Sequence, residues 1–590
     1  MALNYLLKVR LTVVAGSQTR DWRLHLHLLA VSLMALFLRG GVLGLLSLSW
    51  GWPAQVSILF AVVFGLAVTT PGYSEALSPA DAGVRARRLN ISLIVYAFVL
   101  RLVYLGTVDL LPEEAYYWNY SRHLDIGYLD HPPMVAWLIR LGTAAVGQSQ
   151  FGVRVGAVCC GVITSVFTYR LTRNLFGEAS ALAALVLAQA LPFFFLSGLL
   201  MTPDAPLTAA WAASLYYLER ALIAGRSGAW WRVGLALGFG AISKYTIGLL
   251  VPVTLAFMLW DHKSRRWWWR WEPYVAALLA LAIFSPVILW NAQHEWASFT
   301  FQTSRRLAEA PKFALHKLVA SALILITPTG VLAVAAGLLG AKPADAGAGT
   351  GDGGDAPRRR LFINLSILVP LAVFAIFSLR HEVKLDWTGA PWIAALPVMA
   401  AGMITTGTKL RGLRTWIRAA WVPTLVTMLL IYGAGLHYLV LGLPGLGYSK
   451  HIELIPVGWH DFSRQISETA AAVRKETGGD PLIVGMDRYA IASELAFYGT
   501  ERTKSLVETS SAHLFEGVGL MYERWTPPEL QEGRTLLLVA WDPRDLTGKT
   551  VESHAERLGP VEEDVLTRDG QVVRYYSHRL AYNYRTIPRK

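Results

Sequence analysis

The sequence predicts a polytopic α-helical membrane protein of about 13 spans with a separate C-terminal α/β domain. Three observations predict it. Of 590 residues, 54% are hydrophobic and only 16% charged, against about 25% charged in an ordinary soluble domain. Long stretches carry no charge at all, among them Ala179–Pro203, Pro273–Gln293, Leu318–Gly340, Leu361–Leu379 and Trp387–Thr408. A bilayer core takes about 20 apolar residues as helix, because lipid offers no partner to a bare backbone N–H or C=O. Beyond residue 450 the character changes to densely charged sequence with short apolar runs.

Candidate spans lie near residues 25–48, 54–70, 91–107, 152–172, 179–203, 205–224, 231–244, 246–260, 273–291, 315–340, 361–379, 388–407 and 417–441. The first is the weakest, since Arg39 sits inside it, and spans seven and eight are short and divided only by Lys244. Basic segments set the orientation. The N-terminal arm, Arg85–Arg88, Arg170–Arg173, Lys263–Arg270, Arg358–Arg360 and Lys409–Arg418 all fall on one side, which is then cytoplasmic. The loops 108–154 and 290–317, the Asp204 turn, Lys244, Arg380–Asp386 and the C-terminal domain fall on the other. The expected location is a bacterial inner membrane, with the N-terminus cytoplasmic and the C-terminal domain periplasmic. The N-terminal arm shows no secretory signal pattern.

Three divisions follow: residues 1–88 with two extra spans, a membrane core over 89–445, and a domain over 446–590. The stretch 341–360, rich in Gly, Ala and Asp, reads as a flexible cytoplasmic linker. In the last domain Pro481–Met486, Thr535–Trp541 and Val572–Ser577 read as strands and Ala490–Tyr498 as a helix.

The net charge of +13 is the Lys/Arg excess expected of cytoplasmic loops, so nucleic acid is not an expected partner. Cys159 and Cys160 are the only cysteines, adjacent and in an apolar stretch, which leaves neither a disulfide framework nor a cysteine metal site. No GxGxxG or P-loop pattern suggests a nucleotide.

Chemistry concentrates in the loop after span three, LPEEAYYWNYSRHLDIGYLDHPP at 111–133. Pro112 suits a first helical turn, and acids just after it favour the positive end of the helix dipole. Glu113 and Glu114 are accordingly either ordinary helix-start acids or a carboxylate pair for general-base work beside a membrane. Pro132 and Pro133 fix a turn behind Asp130 and His131.

The string EEAYYWNYSRHLDIGYLDHPPMVAWL resembles the first-loop signature of membrane glycosyltransferases with the C-type (GT-C) fold, in the branch of protein O-mannosyltransferases and aminoarabinose transferases. Segments resembling the family continue in order: MTPDAP at 201–206, GAISKYT at 240–246, SPVILWNAQHEW at 285–296, EVKLDWTGAPWIAALP at 382–397 and DRYAIASELAFY at 487–498. The resemblance implies transfer of a sugar, with inversion, from a polyprenyl-phosphate donor to a periplasmic acceptor such as a lipid, lipid A, another glycan or a protein. It implies Glu113 as base where the family carries Asp, a substitution that reaches one methylene further, and Glu114 as an orienting or cation-binding group. Asp130 is by the same resemblance a candidate metal ligand, with His294 a second, so a divalent cation is the one cofactor in view. His131 and Tyr117 are implied donor contacts.

The cations expected to neutralise the donor phosphate are Arg101, Lys244, Arg305, Arg306, Arg380 and Lys384. Arg101 and Lys244 lie within or at the edge of spans, where an ordinary role would be snorkelling. Asp204 either caps a helix, pairs with Arg101 or Lys244, or contacts the sugar. The rival readings are a transporter or flippase, disfavoured because no inverted repeat is visible, and a catalytically altered lipid-binding protein on the same fold.

Overall fold

The computed structural model describes residues 22–77, 82–303, 310–340, 355–404, 411–442, 448, 457–568 and 571–587. The chain forms two compact units, one of Met1–Tyr104 with Ala157–Leu436 and one of Leu105–Gly156 with His437–Lys590. This differs from the division read from sequence, which kept residues 108–154 with the membrane core.

The first unit is helical. The candidate spans overlap helix in the described residues without matching it end to end, and seven helices are long and apolar enough to cross a membrane: His25–Ser49, Gln150–Phe176, Glu272–Gln293, Leu315–Leu339, Ala356–Ser378, Leu385–Ile404 and Gly412–Leu441. Ala54–Thr70, Glu178–Ala190 and Tyr245–Trp260 are apolar but shorter. Glycine brings some of them close. A Cβ on Gly234 would lie 2.5 Å from the Ala276 carbonyl oxygen, and one on Gly238 would lie 2.8 Å from the Ile283 side chain. The Trp230–Ala241 and Glu272–Gln293 helices therefore pack through a small-residue stripe, as helices do when lipid provides no hydrophobic drive.

Two expectations are corrected here. Residues 179–203 are not one span: a helix over Glu178–Ala190 stops at extended Leu191, and Pro192 opens a second helix ending at Ser197. Proline has no N–H for the ladder, so the break leaves carbonyls without helical partners. Arg101 takes them up, its Nε donating to Phe195 O at 3.0 Å and one terminal nitrogen to Gln189 O at 2.8 Å. The expected linker over 341–360 is also only partly one. Residues 341–354 lie outside the described residues, whereas Arg358–Arg360 belong to the Ala356–Ser378 helix. Pro357 suits that helix start, and Arg358 secures it by donating to Asp261 at 2.9 Å and to Leu222 O at 2.6 Å.

The second unit is an α/β body around a five-stranded mixed sheet in the order β2-β1-β3-β5-β4. The strands are β1 Leu482–Gly485, β2 Thr509–Ser511, β3 Leu536–Ala540, β4 Ala555–Arg568 and β5 Gln571–Tyr584. β1 runs parallel to β2 and β3, pairing Ile483 with Thr509 and with Leu537. β5 runs antiparallel to β3 and β4. β1 and β3 are buried along their whole length, which is why they read as unbroken apolar runs rather than alternating ones. Leu482, Val484, Leu536, Leu538 and Ala581 form the core.

A helix over Trp459–Thr477 escaped the sequence reading. Its apolar face of Trp459, Phe462, Ile466 and Val473 is buried, a helical spacing hidden among charges. Residues 105–156 join this unit as two helices, Pro112–Arg122 and Met134–Val146, and the start of a third. The first packs along the Ala490–Thr503 helix, with the Trp118 and Phe497 rings 5.2 Å apart.

Candidate functional site

In the α/β unit the candidate residues gather around the start of the Pro112–Arg122 helix. Leu111 precedes it with extended backbone and Pro112 occupies the first turn. Glu113 is exposed there. Glu114 is fully buried, and its carboxylate is held on both oxygens by Arg154, Nε to Oε1 at 2.9 Å and Nη2 to Oε2 at 2.6 Å. The Leu111 N–H also donates to Glu114 Oε2 at 3.1 Å, the reach-back that closes a helix start.

Arg154 does more than pair. It is 1% exposed and donates to the carbonyls of Leu105 at 3.2 Å, Val108 at 2.7 Å and Asp109 at 2.9 Å. One guanidinium thus fixes the turn before the helix as well as its third residue, a task suited to a planar fork of five donors. Asp109 adds a carboxylate that accepts the Trp459 N–H at 3.1 Å, and Tyr498 accepts the Leu110 N–H at 2.7 Å. The two neighbouring glutamates therefore differ in setting: Glu114, expected to orient an acceptor or bind a cation, is buried against Arg154, whereas Glu113 is exposed on the same turn.

Asp130 is buried within an aromatic box. Its Oδ1 accepts the Tyr116 hydroxyl at 3.2 Å and also the Tyr120 hydroxyl. Tyr120 stacks on Tyr128 with centroids 4.0 Å apart, and Tyr116 lies 4.6 Å from Tyr489. Burial raises the Asp130 carboxyl above the ordinary carboxylate range, and the two tyrosine hydrogen bonds only partly oppose this. His131 is half-buried with its ring edge-on to Tyr117 at 5.7 Å. Burial likewise pushes the Tyr117 hydroxyl well above its usual value, helped by Asp130, Tyr489, Tyr116 and Glu113.

The helical unit holds a second polar cluster. Lys244 Nζ donates to both Asp204 oxygens at 2.9 Å and to Asp386 Oδ2 at 2.8 Å. Lys244 is 8% exposed, and Asp204 begins a helix directly after Pro203. Arg380 and Lys384 are exposed and, among the described residues, make no side-chain ion pair. His294 stacks on Trp290 at 4.2 Å, and its Nδ1 lies 2.7 Å from the Trp290 carbonyl oxygen. Arg305 and Arg306 lie outside the described residues.

The proposed metal ligands fit a cation poorly as they stand. Asp130 spends an oxygen on two tyrosines, and among the described residues no group of three or more His, Cys, Asp or Glu is arranged to hold a metal ion. A cavity of about 360 Å³ in the α/β unit is lined instead by His513, Glu523, Glu529 and His554, none of them a residue singled out from sequence.

Comparison with known proteins finds similarity over part of the sequence and across the fold. Residues 130–290 match the dolichyl-phosphate-mannose-protein mannosyltransferase family, a segment that begins at Asp130, just past the glutamate pair. The structure resembles ArnT from Cupriavidus metallidurans bound to undecaprenyl phosphate, with a TM-score of 0.51 at 15% identity over 85% of this chain and 98% of that one. The chain thus shares the fold of that structure. In sequence it is 30% identical over 227 residues to undecaprenyl phosphate-alpha-4-amino-4-deoxy-L-arabinose arabinosyl transferase of Pseudomonas aeruginosa, covering 35% of this chain and 40% of that one. It is 27% identical over 217 residues to lipid A galacturonosyltransferase RgtD of Rhizobium johnstonii, covering 34% and 43%. The matched part thus spans well under half the length of either relative. The apolar helices and the shared fold make the chain a multi-pass membrane protein.

Sequence reading missed Arg154, Asp109 and Tyr498. Tyr498 lies in the family-like string at 487–498, Asp109 just before the loop string and Arg154 at the end of the first loop. The pairing of Tyr498 with Leu110, 388 positions away, has no sequence signal.

Proposed function

We propose that this protein transfers a sugar from a polyprenyl-phosphate donor to an acceptor hydroxyl by single displacement, with Glu113 as general base. The observation that carries the reading is the division of labour at the helix start. Glu114 is locked by Arg154 while Glu113, one residue earlier, is exposed on the same fixed turn. An exposed carboxylate on a rigid mount is what proton abstraction requires. The relatives support the substrate class, one by the sugar-phosphate lipid in its name and another by its lipid A acceptor.

In this reading the Glu113 carboxylate takes the acceptor O–H proton as that oxygen bonds to the anomeric carbon. The bond from that carbon to the phosphate oxygen breaks, inverting the centre, and polyprenyl phosphate departs with the bonding pair. Of the expected cations among the described residues of the helical unit, Arg380 and Lys384 are exposed and able to meet a phosphate. Arg101 is committed to backbone carbonyls and Lys244 to two aspartates. Asp204, in turn, serves to hold Lys244. No step is routed through a metal.

The finer topology belongs to the same proposal: about 13 spans, a cytoplasmic N-terminus, and the α/β unit with Glu113 on the periplasmic face. Two experiments test the whole. Purified protein is offered a panel of polyprenyl-phosphate sugars with lipid A, glycan and protein acceptors, beside Glu113→Gln. Loss of turnover by about 10²–10⁴-fold is expected for a missing general base, and undiminished turnover in the variant removes Glu113 from that role. A single Cys at position 113, in a background where Cys159 and Cys160 are Ser, should react with an impermeant maleimide added outside spheroplasts. Labelling only after lysis overturns the topology.

A further inference from the structure

One buried group in the α/β unit is left unused by that mechanism. Glu494 is 0% exposed, and among the described residues neither carboxylate oxygen has a hydrogen-bond partner. A buried carboxyl without partners is unfavourable when neutral and far more so when ionised. It sits in the Ala490–Thr503 helix, one turn before Tyr498, whose hydroxyl holds the Leu110 N–H. Residues four apart share a helix face, so Glu494 faces the turn that Arg154 secures. Asp109, Glu114, Arg154 and Glu113 are the charged groups that act on it.

We propose that Glu494 is a positioning residue for Glu113, its buried, unpartnered carboxyl standing on the helix face toward that turn and leaving Arg154 wholly to Glu114 and the backbone. Burial, then repulsion from Asp109 and Glu114, raises its pKa well above the ordinary carboxylate range, with Arg154 only partly opposing. Were Glu494 ionised, three carboxylates besides Glu113 would surround one guanidinium. Arg154 would divide between Glu114 and Glu494, and the carbonyls of Leu105, Val108 and Asp109 would lose their donor. The Glu113 turn would then slacken. Among the described residues, the other elements packed on this helix add no further charged group to those acting on Glu494. His460 faces Tyr498 and Glu501 instead, β1 and β2 carry no ionisable side chain, and Tyr522 is the remaining titratable group nearby.

The sign of the effect is fixed by the direction of the shift. An acid whose folded pKa is raised keeps its proton in the native chain after the unfolded chain has lost it, so stability falls as pH rises above the ordinary carboxylate value. Glu494→Gln removes this loss while keeping the shape, and Glu494→Leu serves as a second neutral variant. The melting temperature of the variant relative to wild type should rise progressively between about pH 5 and pH 9. A difference that is flat or falls with pH overturns the proposal.

The second readout rests on the transfer reading above. The ratio of kcat/KM at pH 9 to that at pH 7 should be higher in Glu494→Gln than in wild type, because the alkaline loosening is gone. An unchanged ratio, or a folded variant with no turnover at either pH, overturns the positioning role. Absence of transfer by the wild-type protein would count against Glu113 as base, while the melting series would still decide Glu494.

Discussion

Arg154→Ala is the sharpest test of how the candidate site is held. The side chain makes five hydrogen bonds, two to Glu114 and three to the carbonyls of Leu105, Val108 and Asp109. Both members of the ion pair are buried, at 1% and 0% side-chain exposure, so removing one leaves a carboxylate without compensation. Such a break costs about 3–5 kcal/mol, and the stranded carbonyls favour the upper end. For a unit of roughly 200 residues each kcal/mol moves the midpoint by about 2–4 °C, giving a fall of roughly 6–20 °C. Intrinsic tryptophan fluorescence of the detergent-purified chain during heating would follow it, and Trp118, Trp459, Trp525 and Trp541 all report from this unit. Arg154→Lys should fall nearly as far, since one ammonium cannot span two carboxylate oxygens and three carbonyls. Adding Glu114→Leu to Arg154→Ala should recover part of the loss, because the unpaired charge is gone. A fall below about 2 °C in Arg154→Ala would show that the guanidinium does not hold this turn.

Two further outcomes follow from single contacts. Gly234→Ala should destabilise the helical unit although Ala is the better helix former by about 1 kcal/mol. The new Cβ meets the Ala276 backbone at 2.5 Å, an overpacking cost of about 1–3 kcal/mol, and resistance to SDS unfolding measures which effect wins. Asp487 accepts the Ile491 N–H at 3.2 Å, and burial pushes its carboxyl up to about 6. Its raised value costs the fold stability as pH climbs from about 4 through about 6. Asp487→Asn, which keeps an acceptor for that N–H, should therefore melt higher than wild type at pH 8 and show little difference at pH 4.

The limits of sequence reading are visible in particular residues. Residues 315–340 and 361–379 were legible as helix because hydropathy acts over a whole segment, whatever it packs against. The break at Leu191 was not, although Pro192 was in plain sight. Hydropathy carries through it unchanged, and only the carbonyls taken up by Arg101 make the broken form stable. The Trp459–Thr477 helix hid because its apolar face is a minority of its residues. Arg101 and Lys244 stood out as intramembrane cations, but whether such a cation serves a ligand or the protein depends on partners 40 to 142 positions away.

The same division runs through the loop that begins at Leu111. Its composition and order determined by themselves that a helix starts at Pro112, that two glutamates sit in its first turn, and that the loop resembles those of membrane glycosyltransferases. These are local properties, set by proline geometry, the helix dipole and a contiguous string. Which glutamate is presented and which is buried was decided only in three dimensions. Helical residues one apart point about 100° from each other, so a single turn set between a packed helix and solvent must bury one and expose its neighbour. The fold delivered Arg154 to Glu114 and an unpartnered Glu494 behind it, and so left Glu113 facing outward.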